Sequence, residues 1–342
     1  MRILTAPLHS PASSGRSRGR PRTVLGLRLS PAADRGDLPQ PLARHSVENW
    51  ELVTSDAEHS SQGFLPFRVV KPSPDSDERE RRPCVIMLHP TGADRDYHVE
   101  WEASLVARGY MTCALDLRHH GGRVDGGMTY QQAIARSYTD HETFKERPFL
   151  LDNVWDLQHL LDVLSERPDV DERRIGITGL SLGGMVSWFL AVIDERVFAP
   201  VPLCGVQSFS YALLNNKWHG RVMSIPDVFR AAAPGGKLSE LSSETVARVW
   251  ERILPGLLST YDATYSLGCI APRPLCVVTG GRDAKNPVEG VREAIAAAQE
   301  VYAAQGVGDR IELFAPGDAD HELTPAMREV IDEWLDRWLL VP

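Results

Sequence analysis

The segment GLSLGG, residues 179–184, constrains the fold of this chain more than any other feature. It follows a short apolar run, residues 175–178, that predicts a buried strand, and it precedes an apolar stretch from Met185 onward that predicts a helix. A serine at such a sharp strand-to-helix turn stands above the edge of a sheet, and the flanking glycines remove side chains that would collide in the turn. The pattern therefore predicts an α/β sheet that carries a nucleophilic serine, Ser181.

Predicted strands and helices alternate along most of the remaining chain. Short continuous apolar runs are typical of buried parallel strands, and stretches with helical apolar spacing lie between them. Such alternation predicts an α/β fold with a mostly parallel central sheet and helices on both faces. The predicted strands are 65–70, 84–88, 111–117, 174–178, 197–203, 275–279 and 310–314, and the predicted helices are 98–108, 149–165, 185–192, 287–304 and 325–340.

Residues 205–268 break this alternation, because they hold few strand signals and seven aromatic residues. Ser243 followed by Glu244 is a typical helix start. We expect a mostly helical insertion that forms a lid over one end of the sheet. Its aromatic residues either line an acyl pocket or fill the core of the insertion itself, and Trp218 is the candidate substrate-binding residue among them.

The first 33 residues contain six arginines, five serines and no acidic residue, whereas the net charge of the whole chain is −9. This composition is typical of an organelle transit peptide, and a disordered basic tail or a start codon assigned too early remain alternatives. We expect residues 1–45 to be a disordered basic leader and residues 46–342 to be one catalytic domain. The expected location is intracellular: a plastid or mitochondrion if the leader is a transit peptide, otherwise the cytoplasm.

Composition and motif content exclude several classes of function. The acidic net charge argues against a nucleic-acid partner, and no apolar run is long enough for a membrane span. The five cysteines include no CxxC pair, which argues against a zinc site or a disulfide framework. The glycine pattern fits neither a dinucleotide-binding loop nor a P-loop, so we expect no cofactor and no metal. The oligomeric state cannot be read from the sequence.

Several segments together resemble the α/β-hydrolase superfamily over about residues 65–342. They are RRIGITGLS at 173–181, DLRHHG at 116–121, IAPRPL at 270–275 with GRD at 281–283, and HELTP at 321–325. The resemblance is strongest to the branch of dienelactone hydrolases, acetyl-xylan-esterase-like enzymes and prolyl-oligopeptidase-like enzymes. It implies the α/β-hydrolase fold and a catalytic triad in the chain order serine, acid, histidine.

Asp283 and His321 are the residues that this order selects. Asp283 follows the predicted strand 275–279 by four residues, at the strand end where a site residue of an open α/β sheet is expected, although a capping turn aspartate is the alternative. His321 lies between the last predicted strand and the last helix, the family position of the general base, and a surface-loop histidine is the alternative. Asp320 stands where relatives often have glycine, and we expect its carboxylate to raise the pKa of His321.

The oxyanion hole requires two backbone N–H groups. Leu182, which follows the nucleophile, supplies one of them, and Thr91 in the loop after strand 84–88 supplies the other, because Pro90 has no N–H. Gly92 is the alternative to Thr91. His89 either supports this loop or has a functional role.

Two further pairs are predicted to be structural. In the resembling motif DLRHHG the histidines at 119 and 120 belong to a structural turn near the mouth of the site, and we expect no metal centre there because no third ligand has convincing spacing. Asp152 and Asp156 are expected to be solvated charges on a helix surface.

The sequence therefore predicts a serine hydrolase that cleaves a small-molecule carboxylic ester through an acyl-enzyme intermediate. Three alternatives remain open at this point. They are a serine peptidase of prolyl-oligopeptidase-like type, an acyltransferase, and a non-catalytic ligand-binding protein on a hydrolase scaffold.

Overall fold

The computed structural model describes residues 26–29, 39–54, 61–72, 81–124 and 126–340. Within these ranges nine strands form one sheet in the order β1-β2-β3-β5-β4-β6-β7-β8-β9. The strands are β1 (Gly26–Leu29), β2 (Ser46–Val53), β3 (Phe64–Lys71), β4 (Arg82–Leu88), β5 (Met111–Leu115), β6 (Val170–Leu180), β7 (Ala199–Leu203), β8 (Leu275–Val278) and β9 (Ile311–Phe314).

The larger part of the sheet is parallel, as the alternation of strands and helices predicts. The strand pairs β5–β4, β4–β6, β6–β7, β7–β8 and β8–β9 are parallel. The pairs β1–β2, β2–β3 and β3–β5 at one side are antiparallel. The carboxyl ends of the parallel strands therefore meet at one edge of the sheet, and the loops that follow them share that edge.

Helices cover both faces of the sheet, and the central strand β4 shows how its side chains serve both layers. Ile86 and Leu88 point into the core of one face, whereas Val85 and Met87 point into the core of the other. The two-residue period of a strand places neighbouring side chains on opposite faces, so a strand covered on both sides is apolar throughout. This explains why the buried strands are continuous apolar runs in the sequence.

The helices outside residues 205–268 divide between these two layers. Buried side chains of α2, α3, α4 and α10 join the first core, whereas those of α1 and α11 join the second. The helices are α1 (Val99–Ala107), α2 (Tyr130–Thr139), α3 (Leu151–Glu166), α4 (Leu182–Ile193), α10 (Val288–Ala304) and α11 (Pro325–Leu335).

Residues 205–268 contain helices and no strand, as expected from their sequence. The helices are α5 (Phe209–Leu214), α6 (His219–Val222), α7 (Pro226–Ala232), α8 (Ser243–Ile253) and α9 (Ala263–Ser266). Helix α8 begins at Ser243, but its cap is Ser242, whose side chain accepts a 3.2 Å hydrogen bond from the Thr245 N–H. We call residues 205–268 the helical segment, and its role as a lid stays a prediction.

The ordered chain begins earlier than the expected residue 46. Strand β1 extends the sheet by pairing antiparallel with β2. Leu42 is fully buried against Val70 and Val106, which holds the short helical turn Gln40–Leu42 in place. The expected disordered leader 1–45 therefore needs correction, because burial and strand pairing order part of it. Residues 1–25 and 30–38 lie outside the described residues, so the transit-peptide prediction is not addressed there.

A buried ion network replaces the solvated helix surface expected around Asp156. Its carboxylate accepts hydrogen bonds of 2.8–2.9 Å from Arg118 and one of 2.8 Å from Arg123. Asp152 lies 3.2 Å from the same Arg118 guanidinium. Burial would raise the pKa of Asp156, but the two arginines outweigh it and lower that pKa to about 2.

None of the helices in the described ranges has the length and apolar character that a membrane span requires.

Candidate active site

Ser181 occupies the turn between β6 and α4, and its backbone adopts an unusual conformation. Its φ is 58° and its ψ is −108°, which places this non-glycine residue in a region that L-residues rarely adopt. A Cβ on Gly179 would lie 2.6 Å from the carbonyl oxygen of Leu88, and one on Gly183 would be closer still. The two glycines therefore let the turn press against the end of β4, as the sequence pattern predicts.

His321 contacts both other predicted triad residues. Its Nε2 lies 2.8 Å from the Ser181 Oγ, and its Nδ1 lies 2.7 Å from the Asp283 Oδ2. A carboxylate can only accept, so Nδ1 carries the proton and Nε2 accepts the proton of the serine hydroxyl. The structure thus brings together three residues that are far apart in the sequence, in the order and orientation that nucleophilic catalysis requires.

Backbone hydrogen bonds between two loops hold Asp283 and His321 at this distance. Asp283 follows β8 and His321 follows β9, and these strands are neighbours in the sheet. The N–H of Gly281 donates to the Pro316 carbonyl at 2.8 Å, and the N–H of Arg282 donates to the Ala319 carbonyl at 2.9 Å. The relative position of acid and base is therefore set by the backbone.

Asp283 is buried, and its carboxylate is fully engaged. Its Oδ1 accepts from the N–H groups of Lys285 at 2.8 Å and Asn286 at 3.2 Å, and its Oδ2 accepts from the Asn286 side-chain amide at 2.9 Å as well as from His321. Burial would raise the pKa of Asp283, but these hydrogen bonds and the nearby His321 outweigh it and lower the pKa. The acid is therefore ionised at neutral pH.

Burial lowers the pKa of His321, although the hydrogen bond and charge of Asp283 act in the opposite direction. The expectation that Asp320 raises this pKa is wrong. The Asp320 carboxylate is largely exposed and lies 3.5 Å from Arg282, so solvent and a cation screen it. His321 is consequently neutral at neutral pH, the state in which it can accept a proton.

Leu182 and Thr91, the predicted oxyanion donors, lie on the two segments that meet at Ser181. Leu182 is the first residue of α4, where a helix leaves its N–H groups without a partner. Thr91 lies three residues beyond the end of β4, the strand end that touches the serine turn. Neither N–H donates to a protein acceptor within the described ranges. Their role in binding an oxyanion stays a prediction.

His89 supports the Thr91 loop, which settles one alternative left open by the sequence. Its Nδ1 donates to the Pro90 carbonyl at 2.8 Å, and its Nε2 accepts from the Leu117 N–H at 3.0 Å. Burial lowers the pKa of His89 to about 4, so the ring is neutral and both its nitrogens are used. His89 is therefore a structural residue of the loop.

The two histidines at 119 and 120 take part in structural contacts. His119 Nε2 lies 2.8 Å from Glu146, and His120 Nδ1 donates to the Arg118 carbonyl at 2.8 Å. Among the described residues, three metal-ligating side chains come together only at Cys204, Asp283 and His321. Two of those three are already engaged with each other in the contacts described above.

Trp218 is buried in the core of the first sheet face and stacks on His219 with ring centroids 3.7 Å apart. A cleft of about 360 Å³ lies between Lys217, His219 and Gly220 of the helical segment and the loop that carries Asp283, and Trp218 does not line it. Ser181 does not line this cleft. The candidate role of Trp218 in substrate binding stays a prediction.

Two residues near the triad were not selected from the sequence. Asn286 donates to the Asp283 carboxylate, and Arg221 of α6 donates to the Asn286 side-chain oxygen. Asn286 could have been considered because it lies three residues after the acid. No local pattern marks Arg221, which comes from the helical segment 65 residues earlier.

Comparisons with known proteins find similar hydrolases. Residues 67–220 match the dienelactone hydrolase family, which confirms the resemblance expected from the sequence. YtaP of Bacillus subtilis (strain 168), whose name assigns it to the hydrolases, is 27% identical over 258 residues, which are 72% of this chain and 71% of YtaP.

Several solved structures with a similar architecture are esterases by name. Acetyl xylan esterase 1 from Thermoanaerobacterium sp. JW/SL YS485 superposes with a TM-score of 0.62 at 18% identity, over 92% of this chain and 87% of that protein. Methylesterase BT1017 superposes with a TM-score of 0.54 at 16% identity. The superposition covers 86% of this chain and 55% of the methylesterase. These likenesses show that the chain has the α/β-hydrolase fold.

Proposed function

From the match of residues 67–220 to the dienelactone hydrolase family, which marks the chain as a hydrolase of this fold, we propose that it cleaves a carboxylic ester through an acyl-enzyme on Ser181. The observation that carries this proposal is the pair of contacts that His321 makes with Ser181 Oγ and Asp283 Oδ2, at 2.8 and 2.7 Å. Both lie within the distance that proton transfer and orientation of the base require.

Acylation begins when Ser181 Oγ attacks the ester carbonyl and His321 Nε2 accepts the hydroxyl proton. The Asp283 carboxylate accepts from Nδ1–H and stabilises the imidazolium that forms. The N–H groups of Leu182 and Thr91 stabilise the negative charge on the carbonyl oxygen, and the N-terminus of α4 adds the positive end of its dipole. The imidazolium then protonates the departing alcohol, and the acyl group stays on Ser181.

Deacylation repeats these steps with water as the nucleophile. His321 accepts a proton from water, the hydroxide attacks the acyl carbonyl, and the same N–H groups hold the second oxyanion. Collapse of that intermediate returns the proton to Ser181 Oγ and releases the acid. These steps use only the groups of the protein named above and water. The lowered pKa of His321 keeps its ring neutral at neutral pH, so that Nε2 can accept a proton.

A small-molecule ester is the proposed substrate. The names of two similar structures, a methylesterase and an acetyl xylan esterase, support this class, because both are enzymes of similar fold that act on esters. Trp218 of the helical segment is the proposed contact for the acyl or alcohol group. We expect Trp218→Phe to change relative rates among esters of different acyl length while labelling of Ser181 by a reactive probe continues.

The test is hydrolysis of a p-nitrophenyl ester series together with labelling by a fluorophosphonate probe. We expect wild type to turn over the esters and to label. Ser181→Ala should lose turnover on the order of 10⁴-fold or more, and it should not label. Ser259→Ala, which alters an exposed serine, is the matched control and should behave like wild type. Equal labelling of wild type and Ser181→Ala would overturn the assignment of the nucleophile.

The same assays separate the alternatives. Turnover of peptides but not of esters indicates a peptidase, and product formation only with an added acceptor alcohol indicates an acyltransferase. Ligand-dependent stabilisation with neither turnover nor labelling indicates a binding protein.

A further inference from the structure

Arg221 is a buried cation next to the triad, and no carboxylate of the described residues lies within salt-bridge distance of it. Only 1% of its surface is exposed. Its Nε donates to the Gln207 side-chain oxygen at 2.9 Å, and its Nη2 donates to the Asn286 side-chain oxygen. Burial lowers the pKa of Arg221 to about 10, so the guanidinium is still charged at neutral pH.

This contact fixes the orientation of the Asn286 amide. An arginine can only donate, so the atom of Asn286 that faces Arg221 is the oxygen. The NH₂ group then points the other way, where it donates to Asp283 Oδ2 at 2.9 Å and to the Cys204 carbonyl at 2.6 Å. With the amide reversed, an oxygen would face the Asp283 carboxylate, and two acceptors would repel each other.

The helical segment also packs directly against the loop that carries Asp283. Gly220 precedes Arg221 in α6, and a Cβ at position 220 would collide with the Ala284 carbonyl. The chain thus brings backbone against backbone beside Asp283. Gln207, at the start of the segment, turns its oxygen to Arg221 and leaves its own Nε2 buried without a partner among the described residues.

We propose that Arg221 and Asn286 are positioning residues that connect the helical segment to the catalytic acid, with Arg221 setting the Asn286 amide and Asn286 setting the Asp283 carboxylate that orients His321. This inference rests on the proposed function, since it assigns a task to the triad. It makes the helical segment part of the catalytic machinery as well as a candidate lid. A substrate that displaces α6 would thereby alter the triad itself.

The charge of Arg221 adds a second effect that a purely structural arginine would not have. The charged groups around His321 are Asp283, which raises its pKa, and Arg221 and Lys285, which lower it. Cys204 lies in the same cluster, and burial raises the pKa of its thiol to about 12, so it is neutral. Removing the guanidinium should therefore raise the pKa of His321 and move the acidic limb of the activity profile to higher pH.

The test compares Arg221→Met, Arg221→Lys and Asn286→Ala in the full chain, using the rate of fluorophosphonate labelling and the pH profile of kcat/KM. Arg221→Met should slow labelling on the order of 10- to 100-fold and shift the acidic limb upward. Arg221→Lys should keep the acidic limb near wild type because the charge is retained. Asn286→Ala removes the hydrogen bond to Asp283 but no charge, and it should also slow labelling.

Arg273→Met is the control, because Arg273 is a partly buried arginine that donates to backbone carbonyls of residues 191–197. We expect it to lower stability and to leave the pH profile unchanged. If Arg221→Met does not fold, the low-field proton resonance of His321 Nδ1–H in Asn286→Ala decides, and it should move relative to wild type. Folded variants with wild-type labelling, profile and resonance would overturn the proposal. If wild type itself does not label, the proposed function fails instead.

Discussion

The backbone strain at Ser181 predicts that a glycine there gives a more stable protein than an alanine, although both substitutions abolish activity. With φ at 58° and ψ at −108°, Ser181 adopts a conformation that costs a non-glycine residue about 1–3 kcal/mol. Glycine adopts positive φ without this cost. Ser181→Ala keeps the Cβ and therefore the strain, so the two variants differ in strain but both lose the hydrogen bond to His321.

The expected difference follows from two opposing terms. Relief of strain favours Ser181→Gly by about 1–3 kcal/mol. The greater freedom of glycine in the unfolded chain opposes it by about 0.4–1 kcal/mol. We therefore expect the free energy of unfolding of Ser181→Gly to exceed that of Ser181→Ala by roughly 1.3 kcal/mol, the midpoint of a range from about 0 to 2.6 kcal/mol.

Urea unfolding of the two variants, with equal m-values, measures this difference directly. Ala296, an exposed residue in the middle of helix α10, supplies the control, because glycine in a helix interior is less stable than alanine by about 0.5–1 kcal/mol. The sign of the glycine–alanine difference should thus be opposite at residues 181 and 296. A Ser181→Gly variant that is no more stable than Ser181→Ala refutes the argument that the serine is held in a strained turn.

Three further predictions concern pH, packing and the buried ion network. Since burial lowers the pKa of His321, kcat/KM should fall only as pH drops through values below the ordinary histidine pKa of about 6.5. Gly220→Ala should collide with Ala284 and slow ester turnover, whereas Gly308→Ala, with no close neighbour, should not. Asp156→Ala should destabilise the fold by about 3–5 kcal/mol in urea unfolding. The wild-type contribution of Asp156 exists above the unfolded carboxyl pKa of about 3.9 and is lost as pH falls toward 2.

The central strands and the positions of Ser181, Asp283 and His321 at the ends of strands could be predicted because their signals are local. Strand β4 is a continuous apolar run, since both its faces are buried, and the prediction of 84–88 differs from the observed Arg82–Leu88 by two residues. Ser181, Asp283 and His321 each lie in a loop directly after a parallel strand. The edge where those strands end brings them together, whatever their separation in the sequence.

Strand β2 and helix α2 are not among the elements predicted from apolar spacing. Strand β2 carries Glu48 and Glu51 among apolar residues and is mostly half-buried, so its pattern did not predict a strand. Helix α2 did have a signal, because Thr129 and Gln132 form a capping box at its start.

Contacts between distant side chains that no motif marks could not be predicted from the sequence. In the sequence, Asp156 has the position of a charge on a helix surface. Only the fold shows that it is buried against Arg118 and Arg123. The contact of Arg221 with Asn286 is of the same kind. Both depend on where a helix meets residues from another part of the chain, which apolar periodicity does not specify.

The central claim is that Ser181 becomes acylated during turnover. We would mix the enzyme with an excess of a p-nitrophenyl ester, quench in acid, digest the protein and locate the acyl group by peptide mass spectrometry. The mechanism predicts one acyl group on the peptide that contains Ser181, and none in Ser181→Ala. Turnover without acylation of Ser181, or the same acylation in Ser181→Ala, would contradict it.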